Sequence, residues 1–96
     1  MMDEIRAKRD EIYAIARKHK AEKLWVFGSC ARKEERPDSD VDLLVRFDPR
    51  TTIFDYVRMR DEVSRFLGCN VDIVDEGALD WEKYFGREVR QEMVAV

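Results

Sequence analysis

Apolar residues follow two rhythms along this chain. From Asp3 to about Lys20, Ile5, Ile12, Ile15 and Ala16 recur at helical spacing among charged neighbours, which predicts an amphipathic first helix lying on a sheet. Lys23 to Phe27 is a short run with Trp25, Val26 and Phe27 that stops at Gly28, and it reads as the first strand. Cys30 to Ser39 is polar and carries Pro37 and Asp38, so a short helical turn from about Ser29 should pass into a surface loop. Val41, Leu43 and Val45 then alternate with Asp40, Asp42 and Leu44 in a second strand ending near Phe47, where Asp48-Pro49 breaks it. Thr52 can cap a helix with Asp55 three residues on, its apolar stripe being Phe54, Val57, Phe66 and Leu67 and its stop Gly68. Asn70 to Val74 is the third strand, Asp75-Glu76-Gly77 a turn, and a last helix runs from about Asp80 to Glu92. The sum is an α/β (α+β) fold, with about three strands and helices on at least one face. Spacing does not fix the strand directions.

Composition narrows the picture. The 96 residues show no repeat or linker and should form a single domain over 1–96. With 45% hydrophobic and 41% charged residues, the chain is too apolar for disorder and should carry a densely charged surface. The 18 Lys and Arg against 21 Asp and Glu give a net charge of -3, so wholesale coating of a nucleic-acid backbone is not expected, while local phosphate binding stays open. Runs such as Leu24 to Phe27 and Met93 to Val96 fall far short of the roughly 20 residues that span a bilayer. The charged start, Met-Met-Asp-Glu-Ile-Arg, lacks the apolar core of a signal peptide, and a cytoplasmic location is expected. Cys30 and Cys69 read as reduced packing residues. His19, the sole histidine, stands in Arg17-Lys18-His19-Lys20 and is expected at a solvated helix end. Metal chemistry must therefore rest on oxygen ligands.

The acidic residues are the oddity. Asp40 and Asp42, two apart on a strand, project to one side. At about 4 Å and an effective dielectric near 20 such a pair costs roughly 4 kcal/mol, a sizeable part of the stability of a small domain. Asp72 lies between Val71 and Ile73 in an apolar strand, where an acid is disfavoured without a partner. Taken singly, each has an ordinary explanation: a turn cap at Ser39-Asp40, a solvent-facing Asp42, an ion pair of Asp72 with Arg46. Taken together, and if the strands are neighbours, they form an oxygen-only cluster suited to magnesium, which uses one or two carboxylates plus substrate phosphates. Gly28-Ser29, after a strand and before a helical turn, can face an anion with backbone amides and the serine hydroxyl, with Arg32 one turn on.

Gly28-Ser29, ten intervening residues and Asp40-Val41-Asp42, with Ala31-Arg32 inside the gap, resemble the signature of the DNA polymerase beta superfamily of nucleotidyltransferases. The stretch from Trp25 to Val74 is similar to the minimal nucleotidyltransferases, antitoxin partners of HEPN toxins, which consist of the catalytic core and little more. The resemblance implies the nucleotidyltransferase fold, a short mixed sheet of about three to four strands flanked by helices. It also implies Asp40, Asp42 and Asp72 as catalytic carboxylates holding Mg2+, and Gly28, Ser29 and Arg32 as contacts to a triphosphate. The family usually has a glycine after that arginine; Lys33 stands there in this chain.

An acceptor domain has no room here, so the acceptor is expected on a partner. By resemblance the partner is a HEPN ribonuclease toxin and the reaction is transfer of AMP from ATP to its tyrosine, silencing it. The alternative is an inactive antitoxin that neutralises its partner by binding alone. Homo- and hetero-oligomers are both left open. Trp81, Tyr84, Phe85, Met93 and Val94 either cover the sheet or form a partner surface, and a domain this small favours the first use.

Overall fold

A computed structural model of the protein describes residues 1–33 and 40–96. Its elements follow in the order α1 (Met2–Ala7), α2 (Arg9–Lys18), β1 (Ala21–Phe27), α3 (Gly28–Ala31), β2 (Val41–Phe47), α4 (Ile53–Leu67), β3 (Val71–Asp75), α5 (Tyr84–Glu92) and β4 (Val94–Ala95), with a 3₁₀ turn at Glu76–Ala78. The four strands form one mixed sheet in the order β3-β2-β1-β4. β1 runs antiparallel to both β2 and β4, and β2 runs parallel to β3. The α+β class and the flanking helices are as expected. The expected loop through Pro37, Asp38 and Ser39 lies outside the described residues.

Alternation along the strands gives each sheet face its own core. Leu24, Val26, Val41, Leu43, Val45 and Ile73 pack with Ile5, Ile12 and Ala16 of α1 and α2 and with Met59 and Val63 of α4. On the other face Phe27 and Leu44 meet Val89 of α5, with Trp25, Val74, Trp81 and Met93 around them. Trp81 and Met93 thus cover the sheet and Val94 joins the first core, whereas Tyr84 is 78% exposed and Phe85 49%. Among the described residues no helix is long and apolar enough to cross a membrane.

Several elements differ from the expectation. The first helix breaks at Lys8, whose φ of -102° and ψ of 16° end α1; the break turns Met2 and Ile5 into the core that Ile12 also enters. β1 begins two residues earlier than expected, because Ala21 pairs with Phe47. In α4 the capping box of Thr52 and Asp55 and the left-handed Gly68 stand as expected. Its buried stripe, however, is Met59 and Val63 with Tyr56 and Leu67 beside them, and Phe54 is 69% exposed. The last helix begins at Tyr84, four residues late.

His19 is a correction: it is buried, because α2 ends against α4, where Glu62 Oε1 lies 2.8 Å from His19 Nε2 and Glu62 Oε2 accepts from Lys18 Nζ at 2.6 Å. The outer edge of β3 is capped by α4 as well. Ser64 Oγ accepts from the Val71 amide at 3.1 Å, and the Tyr56 hydroxyl donates to the Ile73 carbonyl. These bonds satisfy backbone groups that an edge strand would otherwise leave open.

Gly86 lets α5 settle on the chain before it. A Cβ at that position would collide with the Asp80 carbonyl and lie 2.8 Å from Trp81 Cα. Gly86→Ala is expected to cost about 2 kcal/mol, the typical penalty for overpacking, measured by urea unfolding followed by circular dichroism.

Candidate active site

The site lies at one end of the sheet, on the α5 face. In the parallel ladder Asp42 of β2 is the direct partner of Asp72 of β3, and Asp40 precedes Asp42 by two residues. Partnered residues on adjacent strands point to the same side, and neighbouring strands lie about 4.8 Å apart. All three predicted acids are therefore on one face. Arg46, the alternative partner for Asp72, instead donates to Glu76 Oε2 at 2.7 Å. Asp42 is half-buried, while Asp40 and Asp72 are exposed.

β1 delivers the chain to Gly28 directly above this pair, since Phe27 is the register partner of Asp42. Gly28 has a φ of +74°, and a Cβ there would overlap Asp42 Oδ2 and sit 3.3 Å from its Cγ. Only glycine meets both demands, a left-handed backbone and contact with a carboxylate. Ser29 is half-buried in α3, and Cys30 anchors this turn by burying its side chain in the first core. Arg32 caps α3, its amide donating to the Gly28 carbonyl at 3.1 Å. Lys33, where the family usually has a glycine, has a left-handed backbone with φ +60°.

One member of the site was not foreseen. Glu92, at the end of α5, accepts from the Gly28 amide at 3.2 Å and pairs with Arg32 Nη1 at 2.5 Å. Its partners are 64 and 60 residues away, so no local signal could have marked it.

The electrostatics follow from this crowding. The Asp42 carboxyl is pushed above its ordinary value of 3.8, first by burial and then by the negative charges of Asp72, Asp40 and Glu92, with Arg32 opposing. Among the described residues no three acidic, histidine or cysteine side chains are arranged to hold a metal ion by themselves. The donor set is instead a half-built one. Carboxylates on adjacent strands, carrying excess negative charge, suit a divalent cation that completes its shell with phosphate oxygens. Beside Asp40 and Asp72 an open groove of about 340 Å³ passes Arg60, Asp61, Ser64 and Asn70. A larger groove of about 450 Å³, between Phe47, Tyr56 and Gly77, contains none of the predicted site residues.

A mixed sheet with in-register carboxylates beneath a Gly-Ser turn defines a nucleotidyltransferase core. The nucleotidyltransferase domain family matches residues 10–96, and the chain belongs to that family. It is 33% identical over 78 residues to the protein adenylyltransferase MntA of Thermococcus cleftensis, covering 73% of this chain and 79% of that one. It is similar to the solved structure of a proposed minimal nucleotidyltransferase, with a TM-score of 0.83, 36% identity and coverage of 98% of this chain and 94% of that one. The fold is also that of a chain in the Shewanella oneidensis complex of a tri-AMPylated HEPN toxin with an MNT antitoxin. There the TM-score is 0.68 and the identity 16%, over 94% of this chain and 69% of that one.

Two outcomes follow. A non-glycine residue in the left-handed region costs about 1–2 kcal/mol, so Lys33→Gly should raise unfolding free energy by about 1 kcal/mol, read by urea denaturation. A carboxyl whose pKa is higher folded than unfolded binds more protons in the folded state, so stability falls as pH rises from about 3.8 upward. Asp42→Asn should therefore raise the melting temperature of the ligand-free protein at pH 7, with the advantage shrinking as pH falls toward 3.8 and absent below it. Differential scanning fluorimetry across pH checks this.

Proposed function

We propose that this protein transfers AMP from ATP to a tyrosine hydroxyl of a HEPN ribonuclease, acting as the adenylylating antitoxin of a toxin-antitoxin pair. The observation that carries the reading is the alignment of Asp42 with Asp72 on adjacent strands, with Asp40 beside them and Gly28 packed against Asp42. The name of the MntA relative supports adenylyl transfer, and the complex of a toxin with an MNT antitoxin supports the partner.

The residues divide the work. Asp40 and Asp42, with Asp72, would hold Mg2+, which supplies neutralisation of phosphate charge during in-line displacement. Gly28, through its amide, and Ser29, through its hydroxyl, bind the triphosphate tail, and the Arg32 guanidinium adds a charge-assisted contact. Gly28 has no side chain, so phosphate can approach the backbone closely. The acceptor hydroxyl enters from the groove past Asn70 and Ser64, which opens beside Asp72. Asp72 is exposed and takes the hydroxyl proton as the oxygen attacks the α-phosphorus; the bond to the bridging oxygen breaks, and pyrophosphate leaves.

The test is to incubate the protein with a HEPN ribonuclease from the same genome, magnesium and each nucleoside triphosphate, then weigh the ribonuclease by mass spectrometry. Addition of adenylate is expected with ATP, at a tyrosine, with the rate falling at least about 100-fold in Asp42→Ala, as when one main source of transition-state charge stabilisation is lost. An unmodified ribonuclease held in a tight, inactive complex would instead mark an antitoxin that works by contact alone.

A further inference from the structure

We propose that Glu92 is an internal competitor for the phosphate tail: its carboxylate occupies the place that nucleotide phosphate takes, and binding requires its displacement. This rests on the assignment of Gly28, Ser29 and Arg32 to the triphosphate. One oxygen of Glu92 accepts from the Gly28 amide at 3.2 Å and the other pairs with Arg32 at 2.5 Å. A phosphate group would present two oxygens to the same two donors. The Glu92 side chain is 23% exposed and that of Arg32 42%, so water reaches the pair and the carboxylate can leave it for solvent.

The fold explains why Glu92 is there. α5 lies over Phe27 and Leu44 through Val89, and directly after it β4 pairs Val94 with Val26 and Ala95 with Trp25. Glu92 is thus held between two fixed points, one turn beyond Val89 and two residues before the β4 pairing. Its charge also adds to that of Asp40 and Asp72 around Asp42. An anion that unfavourably crowds Asp42 stays only while Arg32 and Gly28 have nothing better to bind. A cation-bound triphosphate brings its own compensation for the acids, takes the two donors and releases Glu92. When pyrophosphate departs, Glu92 is at hand to retake them, which favours product release.

Calorimetric titration of the full chain with ATP, pyrophosphate and adenosine, each with magnesium, tests this. A competitor seated about nine-tenths of the time lowers apparent affinity about tenfold. Glu92→Gln is therefore expected to bind ATP and pyrophosphate about tenfold more tightly than the wild type, with adenosine unaffected. Unchanged or weaker binding of both tail-bearing ligands would overturn the proposal, as would equal tightening of adenosine. If Glu92→Gln does not fold, Glu92→Asp carries the same test, since its shorter side chain withdraws from both donors. Arg32→Ala placed in the Glu92→Gln variant separates the two readings. Loss of ATP affinity there upholds the phosphate assignment whatever Glu92 does, and no loss refutes that assignment itself.

Discussion

The parallel pairing of β2 with β3 is the constraint on which the site depends. It makes Asp42 and Asp72 direct neighbours, and their charges oppose it. Two carboxylates about 4 Å apart repel by roughly 4 kcal/mol at an effective dielectric of 20. A slip of one residue would separate them, but it would also turn Val71 and Ile73 away from the core beneath the sheet. Each such side chain contributes about 1.5–3 kcal/mol on burial, and the Ser64 and Tyr56 bonds to the edge of β3 would be lost as well. The apolar alternation therefore wins, and the acids stay where the core puts them.

The second face of the sheet completes the site. α5 covers a small core of Phe27, Leu44 and Val89, and its last residue brings a fourth carboxylate to the Gly-Ser turn. Among the described residues, Arg32 is the cation that opposes this charge at Asp42. The imbalance gives the geometry a chemical meaning, since a phosphate chain would be repelled unless a divalent cation came with it.

What the sequence made legible was local. The Thr52-Asp55 box and Gly68 bound α4 because caps act within one turn, and Gly28-Ser29 with Asp40 and Asp42 marked a turn and an acidic strand that the fold brings together, because their spacing reports a strand-turn-strand path. The stripe of α4 misled because two helical faces carry apolar residues. Phe54 and Val57 were as plausible as Met59 and Val63, and contact with the sheet chose the latter. His19 and Glu92 were illegible for a different reason: each takes its role from a partner 43 or more residues away. β4 is two residues long, too short for any alternation to show.

Lys33 bears on how far such a site may depart from its family. Its backbone is left-handed, φ +60°, a region that glycine enters freely and lysine only with strain. Strain of this kind persists only where surrounding structure over-determines it. Here the restraints are visible: Cys30 is buried beneath the turn and its carbonyl accepts from the Lys33 amide at 3.2 Å, while the Arg32 amide is bonded to Gly28. The ligand-free protein thus carries two unfavourable features side by side, a left-handed lysine and crowded carboxylates. If the proposed function holds, a cation with a triphosphate would relieve the second, and ligand binding and folding stability would be linked through the same few side chains.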